Sequence, residues 1–375
     1  MSQKKGTKAP PSSPKPSSSV ILISPTNEVL LLHRVQTSRS FPSAHVFPGG
    51  NVDTFHDGTI PTDEDPSRHT DSETYRLAAV RETFEESGIL LAYNNGFGRL
   101  LEVEDTEREA GRKAVHKKEV PFTKWLSKKG GRPDTGMRDR KAECKSIKLT
   151  WAVDNLIPFT RWITPPNVPK RFTTQMYLYF LPVSTANAPK IGGPLLSARE
   201  ALIPNPTHDG GLEHTEAKFL PAETWLEQAR SGKIILFPPQ FFLLTIVSQF
   251  LTPKVPNVLT PETLEQQRKQ LKQFVKRGGF PPWGEACISP QALIGQLGNG
   301  KVVLSLEHPG LDLEKHGRIG VKDFVVLVKF SKEGPRDLEI KTRKEIMQDV
   351  REDVKKTGTA YSHHLQHLQT KREKL

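Results

Sequence analysis

The sequence reads as an α/β chain, and three observations predict this. Two runs rich in apolar, β-branched and aromatic residues, Val20 to His33 and Gln175 to Val183, have the composition of strands. Between them, Thr70 to Ser87 sets Tyr75, Leu77, Ala78, Val80 and Phe84 among acids, the pattern of a helix packed on one side. Further on, Phe241 to Leu251 is an apolar run that follows Pro238 and Pro239 and reads as a buried helix.

Each element has its own signal. Residues 1–19 are rich in Pro, Ser and Lys and are expected to be disordered. Val20 to His33 alternates around the turn Ser24 to Glu28 and predicts a strand hairpin. His45 to Gly49 opens a loop. Thr70 and Glu73 have capping-box spacing, which predicts a helix start at Thr70, and Gly88 marks its end. Residues 99–130 look helical, and 130–145 form a basic insert. Strands are expected within 147–183 and loops across 187–213. Glu216 to Leu220 reads as a strand and Pro221 to Ser231 as a helix with Trp225 buried. Pro261 to Lys276 is helical in pattern. Val302 to Leu306 and Asp323 to Phe330 read as strands, and Lys341 to Gln369 as a charged, helix-prone extension.

The net charge of +12 is concentrated in two places. Residues 1–19 contribute +4, and residues 105–148 contribute +7 (14 basic against 7 acidic). No aromatic-interleaved RNA motif accompanies either, so nucleic acid is not the expected partner. Cys144 and Cys287 lack metal-ligand spacing and read as ordinary thiols. The longest apolar run is too short to span a membrane, and residues 1–19 lack the apolar core of a secretory signal.

The chemistry is concentrated in the acidic helix. Glu82, Glu85 and Glu86 stand at i, i+3 and i+4 and share a face. Three crowded carboxylates repel one another unless a cation lies between them, and all-oxygen ligation suits Mg²⁺ or Mn²⁺. Just upstream, Phe47 to Gly50 reads F-P-G-G, a tight turn.

The pattern E-x7-R-E-U-x-E-E-x-G-U resembles the second half of the Nudix box, on Glu73, Arg81, Glu82, Glu85, Glu86, Gly88 and Ile89. Thr83 stands where an aliphatic residue is usual. The first half departs more. The box places its leading Gly six positions before its first Glu, whereas Gly50 and Glu73 are 23 apart (73 − 50). The extra segment is polar and turn-rich, as a surface loop is. The resemblance implies an α/β/α sandwich with a mixed sheet, plus inserted loops and helices. It places the box loop and helix at the sheet's edge. The domain would span 20–310, with inserts at 51–69 and about 105–148, and 311–375 would be an extension. The resemblance further implies Glu82, Glu85 and Glu86 as metal ligands, Arg81 and Glu73 as supports of the loop–helix geometry, and Gly49 and Gly50 beside substrate.

A second resemblance concerns substrate. Leu31 to Gly50 is similar to the pattern upstream of the box in Nudix enzymes that cleave coenzyme A. Arg34 and Arg39 take its two Arg positions, while Val35 and Ser43 replace small residues. Paired guanidinium groups suit a nucleotide with an extra 3′-phosphate. Phe159 to Val183, His214 to Gln240 and the segment GNGKVVLSLEHPG, taken as a closing hairpin, resemble the longer CoA diphosphatases of peroxisomes and mitochondria. The implied reaction splits CoA or acyl-CoA into 3′,5′-ADP and (acyl-)4′-phosphopantetheine. In the family the general base is a box Glu or a Glu from a later loop, which here means Glu216 or Glu213. His45, beside the turn, reads better as structural than as a phosphate contact. ADP-ribose, a dinucleotide or capped RNA keep the same chemistry. A non-catalytic binding module is the other class, and the intact glutamates argue against it. The terminal REKL is a poor match to S-K-L, and the start lacks an Arg-rich amphipathic pattern. Peroxisome, mitochondrion and cytoplasm all stay open.

Overall fold

Strand β1 (Lys15–Ile23) is the axis of the molecule. The computed structural model describes residues 11–38, 42–94, 100–136, 155–183, 207, 209, 213–251, 260–294 and 296–357. Strand β1 turns into β2 (Val29–Arg34), as the alternation predicted. Strands β3 (His45–Val46) and β4 (Gly49–Asn51) then flank the F-P-G-G turn. Helix α1 (Glu73–Ser87) carries the acids. A small hairpin of β5 (Ala92–Asn94) and β6 (Gly131–Pro133) encloses α2 (Asp105–His116) and α3 (Phe122–Lys128). Strands β7 (Ile157–Ile163), β8 (Phe172–Phe180) and β9 (His214–Leu220) complete most of the main sheet. Helices α4 (Ala222–Arg230), α5 (Pro238–Leu251) and α6 (Pro261–Arg277) follow. The chain continues through β10 (Cys287–Ile288), β11 (Gln291–Ile294), β12 (Val302–Leu306), β13 (Val321–Ser331), β14 (Gly334–Thr342) and α7 (Arg343–Thr357).

The main sheet runs β10-β7-β8-β1-β2-β3, with β4 added to β1 and β9 to β2. It is mixed: β1 runs parallel to β8 and antiparallel to β2 and β4. The period-two alternation of its strands divides the apolar side chains between two faces. Val20, Leu22, Leu30, Leu32, Tyr177 and Tyr179 meet Tyr75, Ala78, Ala79 and Phe84 of α1 on one face. Ile21, Ile23, Val29, Leu31, Met176 and Leu178 meet Trp225, Phe241, Phe242 and Leu271 of α4, α5 and α6 on the other. Each fully buried Val, Leu, Ile, Met or Phe among them contributes roughly 1.5–3 kcal/mol. The result is the expected α/β/α sandwich. Among the described residues, no helix is long and apolar enough to cross a membrane.

Four expectations are corrected. The tail expected to be disordered over 1–19 enters the sheet at Lys15, because its serines have partners. Ser18 Oγ donates to the Tyr75 carbonyl (2.6 Å), Ser19 Oγ donates to the Pro48 carbonyl (2.8 Å), and Ser17 Oγ pairs with Thr174 Oγ1 (2.6 Å). Helix α1 starts at Glu73, not Thr70. The Thr70 hydroxyl donates to the Ser67 carbonyl and closes a 3₁₀ turn, Pro66–His69, so it does not cap α1. Helix α1 packs across central β1, not at the sheet's edge. Finally, the boundary at residue 310 falls inside a four-stranded antiparallel sheet, β11-β12-β13-β14. Leu304, Val326 and Val328 of that sheet share the core of α4 and α5, so the strands β13 and β14 that follow residue 310 are part of the folded body and not an extension from it. Residues 358–375, and Arg39, lie outside the described residues.

Candidate active site

The F-P-G-G turn fits against α1 because it has no side chains there. A Cβ on Gly50 would lie 2.5 Å from the Glu82 carboxylate, and one on Gly49 would lie 2.3 Å from the Ser18 carbonyl oxygen. The Gly49 N–H donates to Glu86 Oε2 at 2.7 Å. Two glycines thus let backbone close on two carboxylates. Gly88 ends the helix with φ 72°, the left-handed turn that glycine adopts without strain, and its N–H bonds the Phe84 carbonyl. Thr83, out of pattern, is buried with its hydroxyl donating to the Ala79 carbonyl (2.8 Å).

Arg81 is the hub of the cluster. Its Nη1 donates to Glu82 Oε1 (2.8 Å) and Glu85 Oε1 (2.9 Å). Its other edge grips Asp57, Nε to Oδ1 at 3.0 Å and Nη2 to Oδ2 at 2.7 Å, and Nη2 also reaches the Asn51 carbonyl. Asp57 comes from the segment between Gly50 and α1. Glu73, expected from the resemblance to support this geometry, is exposed on the first turn of α1, and among the described residues no ion pair or side-chain hydrogen bond joins it to Arg81. The acid that contacts Arg81 is Asp57, not Glu73.

The three glutamates divide between two sets of neighbours. Glu82 and Glu85 face Arg81, and Glu85 Oε2 also meets His116 Nδ1 at 3.1 Å. Glu86 points instead to Gly49 and to β9, with His214 Nε2 3.6 Å from its Oε1. Next to these, Glu213 is ion-paired with Arg34 Nη2 (3.3 Å). Burial pushes the Glu82 carboxyl up to about 7, against the pull of Arg81 and with the push of Glu85. Burial and the neighbouring Glu82 hold Glu86 well above the ordinary carboxyl range. Carboxyls kept this far from comfortable ionisation are the donor set that a divalent cation relieves.

Arg112 of α2, which the sequence did not single out, holds this end of α1. It is buried and donates to the carbonyls of Glu85 (2.6 Å) and Glu86 (2.7 Å). The last turn of a helix leaves such carbonyls without internal partners and favours a cation.

The structure therefore gathers Glu82, Glu85, Glu86, Arg81, Gly49, Gly50 and Arg34 into one place. It leaves out Glu216, which pairs with His33 across β9 and β2 and is exposed. A register shift between His33 and Arg34 in that ladder flips the alternation, so His214 faces the cluster and Glu216 faces away. Glu213 is the later glutamate at the site. His45 stacks on His33 (4.6 Å between centroids) and touches Trp225, which lies on the face opposite α1. Burial and His33 lower its pKa to about 4, as befits a packed neutral ring.

Residues 13–166 match the family model described as the NUDIX domain. Nudix hydrolase 7 of Caenorhabditis elegans is 28% identical over 247 residues, covering 63% of this chain and 62% of the relative. Acyl-coenzyme A diphosphatase NUDT19 of Xenopus laevis is 27% identical over 263 residues, covering 60% of each. The chain thus spans about three-fifths of the length of these relatives. A solved Nudix hydrolase from Alicyclobacillus acidocaldarius aligns with 64% of this chain and 92% of its own, at 20% identity and a TM-score of 0.42. The matched span holds the glycine turn, the acidic helix and both of its arginine braces, and over residues 13–166 this chain is similar to a NUDIX domain.

Proposed function

We propose that the protein hydrolyses the pyrophosphate linkage of CoA or acyl-CoA, yielding 3′,5′-ADP and (acyl-)4′-phosphopantetheine. One observation carries the chemistry: the carboxylates of Glu82 and Glu86 crowd against a glycine turn whose backbone closes directly on them, with Arg34 at their side. The NUDT19 relative, named an acyl-CoA diphosphatase, supports the substrate. Glu82, Glu85 and Glu86 would hold Mg²⁺ or Mn²⁺. When bound, such a cation neutralises phosphate oxygens and lowers the pKa of water.

The chain's own groups do the rest. Arg34 leaves Glu213 and binds a phosphate oxygen, which a guanidinium does with two parallel donors. Glu213, the exposed acid of the cluster, takes the proton of the attacking water. The water oxygen bonds to phosphorus, the bridging P–O bond breaks, and the leaving phosphate keeps the electron pair. Arg81, fixed by Asp57, keeps Glu82 and Glu85 in register. This reading favours a compartment that handles acyl-CoA, a peroxisome or a mitochondrion.

The test is hydrolysis by the purified protein with Mg²⁺ or Mn²⁺ across CoA, acyl-CoA, dephospho-CoA, ADP-ribose, NADH, diadenosine polyphosphates and capped RNA. Release of 3′,5′-ADP from CoA, well above turnover of the rest, supports the proposal. Preference for another substrate keeps the hydrolysis and discards CoA. Turnover of none, with metal bound, points to a binding module.

A further inference from the structure

We infer that His214 is a nitrogen ligand of the divalent cation held at Glu86, oriented from behind by Asp209. This rests on reading the cluster as a cation site, and it adds a donor from outside α1. The His214 side chain is fully buried at the start of β9. Its Nε2 faces Glu86 Oε1 at 3.6 Å and its Nδ1 faces Asp209 Oδ2 at 3.4 Å. Among the described residues, neither nitrogen has a partner in hydrogen-bond geometry, only these two carboxylates at longer range. A buried imidazole left this way is costly, so the arrangement calls for a group between His214 and Glu86.

Metal-binding histidines are held in the order carboxylate, imidazole, metal: an acid behind the ring fixes its orientation and raises its basicity. Asp209 fills that role. It also accepts the backbone N–H of Glu213 (2.8 Å) and of His214 (3.2 Å), which ties its carboxylate to the strand that presents the ring. Glu86, Glu213 and His214 offer ligand atoms that all lie within 4.8 Å of one another. Ligand atoms around one first-row ion lie roughly 3–4 Å apart, given bonds of about 2.0–2.2 Å. A small side-chain rotation closes that gap. Of the three, Glu86 and His214 are buried and suited to ligation, while Glu213 stays on the solvent side as proton acceptor.

The consequence is selectivity. An all-oxygen set suits Mg²⁺, whereas imidazole shifts preference toward Mn²⁺ and later transition metals. A second histidine at the cluster, His116, lies on Glu85 with its side chain 43% exposed, so the two rings are separable.

Pulsed electron paramagnetic resonance of the full-length protein loaded with Mn²⁺, without substrate, tests this. The expected spectrum shows coupling to a directly bound nitrogen, and the pattern changes when the histidines carry the heavy nitrogen isotope. The coupling disappears in His214→Gln and survives in His116→Gln. Mn²⁺ affinity, read from the same signal, falls at least about tenfold in His214→Gln and in Asp209→Asn. Bound Mn²⁺ without nitrogen coupling, coupling lost in His116→Gln alone, or no Mn²⁺ bound by the wild type overturns the inference. The isotope experiment on the wild type decides the matter even if a variant fails to fold. Hydrolysis of CoA with Mg²⁺ in a protein that shows no nitrogen coupling would sink this inference and leave the proposed function standing. Nitrogen coupling without CoA turnover would do the reverse.

Discussion

Asp57 and Arg81 form a two-pronged ion pair shut away from solvent, with the Asp57 side chain fully buried and that of Arg81 4% exposed. Arg81 in turn holds Glu82 and Glu85, so the segment between Gly50 and α1 reaches the acidic cluster through one side chain. Removing one member of a buried pair leaves the other charge uncompensated and costs roughly 3–5 kcal/mol. Asp57→Asn is expected to lose most of that range in denaturant unfolding. Asp57→Glu should recover part of it, and Glu73→Gln should stay within about 0.5 kcal/mol of the wild type. A Glu73→Gln variant as unstable as Asp57→Asn would refute the assignment.

Gly50 faces the Glu82 carboxylate so closely that any β-carbon collides with it. Gly50→Ala must move either the turn or Glu82. A displacement near 1 Å at a reacting centre costs about 10²-fold in rate. The variant is therefore expected to unfold near the wild-type midpoint and lose about that factor in kcat. Wild-type turnover in Gly50→Ala would show that the turn and Glu82 do not act as one unit.

The acidic helix also makes stability depend on pH. The folded state holds a proton on Glu82 up to about 7, whereas the ordinary value is 4.5. Below the ordinary value the contribution to stability is fully present, and it is lost as pH rises through about 7. His45 and His69, each lowered to about 4 by burial, act in the opposite sense over the lower part of this window. Comparison with Glu82→Gln separates the two effects. With metal chelated, the stability of Glu82→Gln relative to wild type should grow by on the order of 3 kcal/mol between about pH 5 and about pH 8. Saturating divalent cation should shrink that difference, because it stabilises the ionised wild type. A difference that stays flat with pH would mean that Glu82 ionises normally.

Much of this was legible in the chain, and the misses have physical causes. Glu82, Glu85, Glu86 and Gly88 declared themselves because helix periodicity links residues close in sequence. Asp57 did not, although it lies next to the place where counting forward from Gly50 puts the first acid of the box. Counting back from Arg81 led to Glu73 instead. Arg112, His116 and His214 come from α2 and β9, and only the fold brings them to α1. Ser17 to Ser19 read as a tail because hydroxyl-rich composition does not reveal that each hydroxyl has a buried partner. The sheet of β11 to β14 was divided at residue 310 because Gly, Pro and charge mark its turns in the way they mark linkers.

Glu213 and Glu216 are the sharpest case, since composition treats them alike and one backbone irregularity separates them. On a regular strand, His214 and Glu216 would share a face, and Glu216 would look toward Glu86. The register shift opposite Arg34 inserts one residue, so His214, Ala217 and Phe219 face α1 while Thr215 and Glu216 are exposed. Glu213 stays at the cluster, tied to Arg34. If Glu213 accepts the proton of the attacking water, Glu213→Gln should lower kcat by about 10²–10⁴-fold with KM changed little, since general-base catalysis contributes about that much. Glu216→Gln should stay within a few-fold of wild type in both. Arg34→Ala should show the complementary split, a raised KM from the loss of a phosphate contact worth roughly 1.5–3 kcal/mol. Steady-state kinetics on CoA distinguishes the outcomes: a rate loss confined to Glu216→Gln would restore the residue that strand composition suggested and would remove Glu213 from the mechanism.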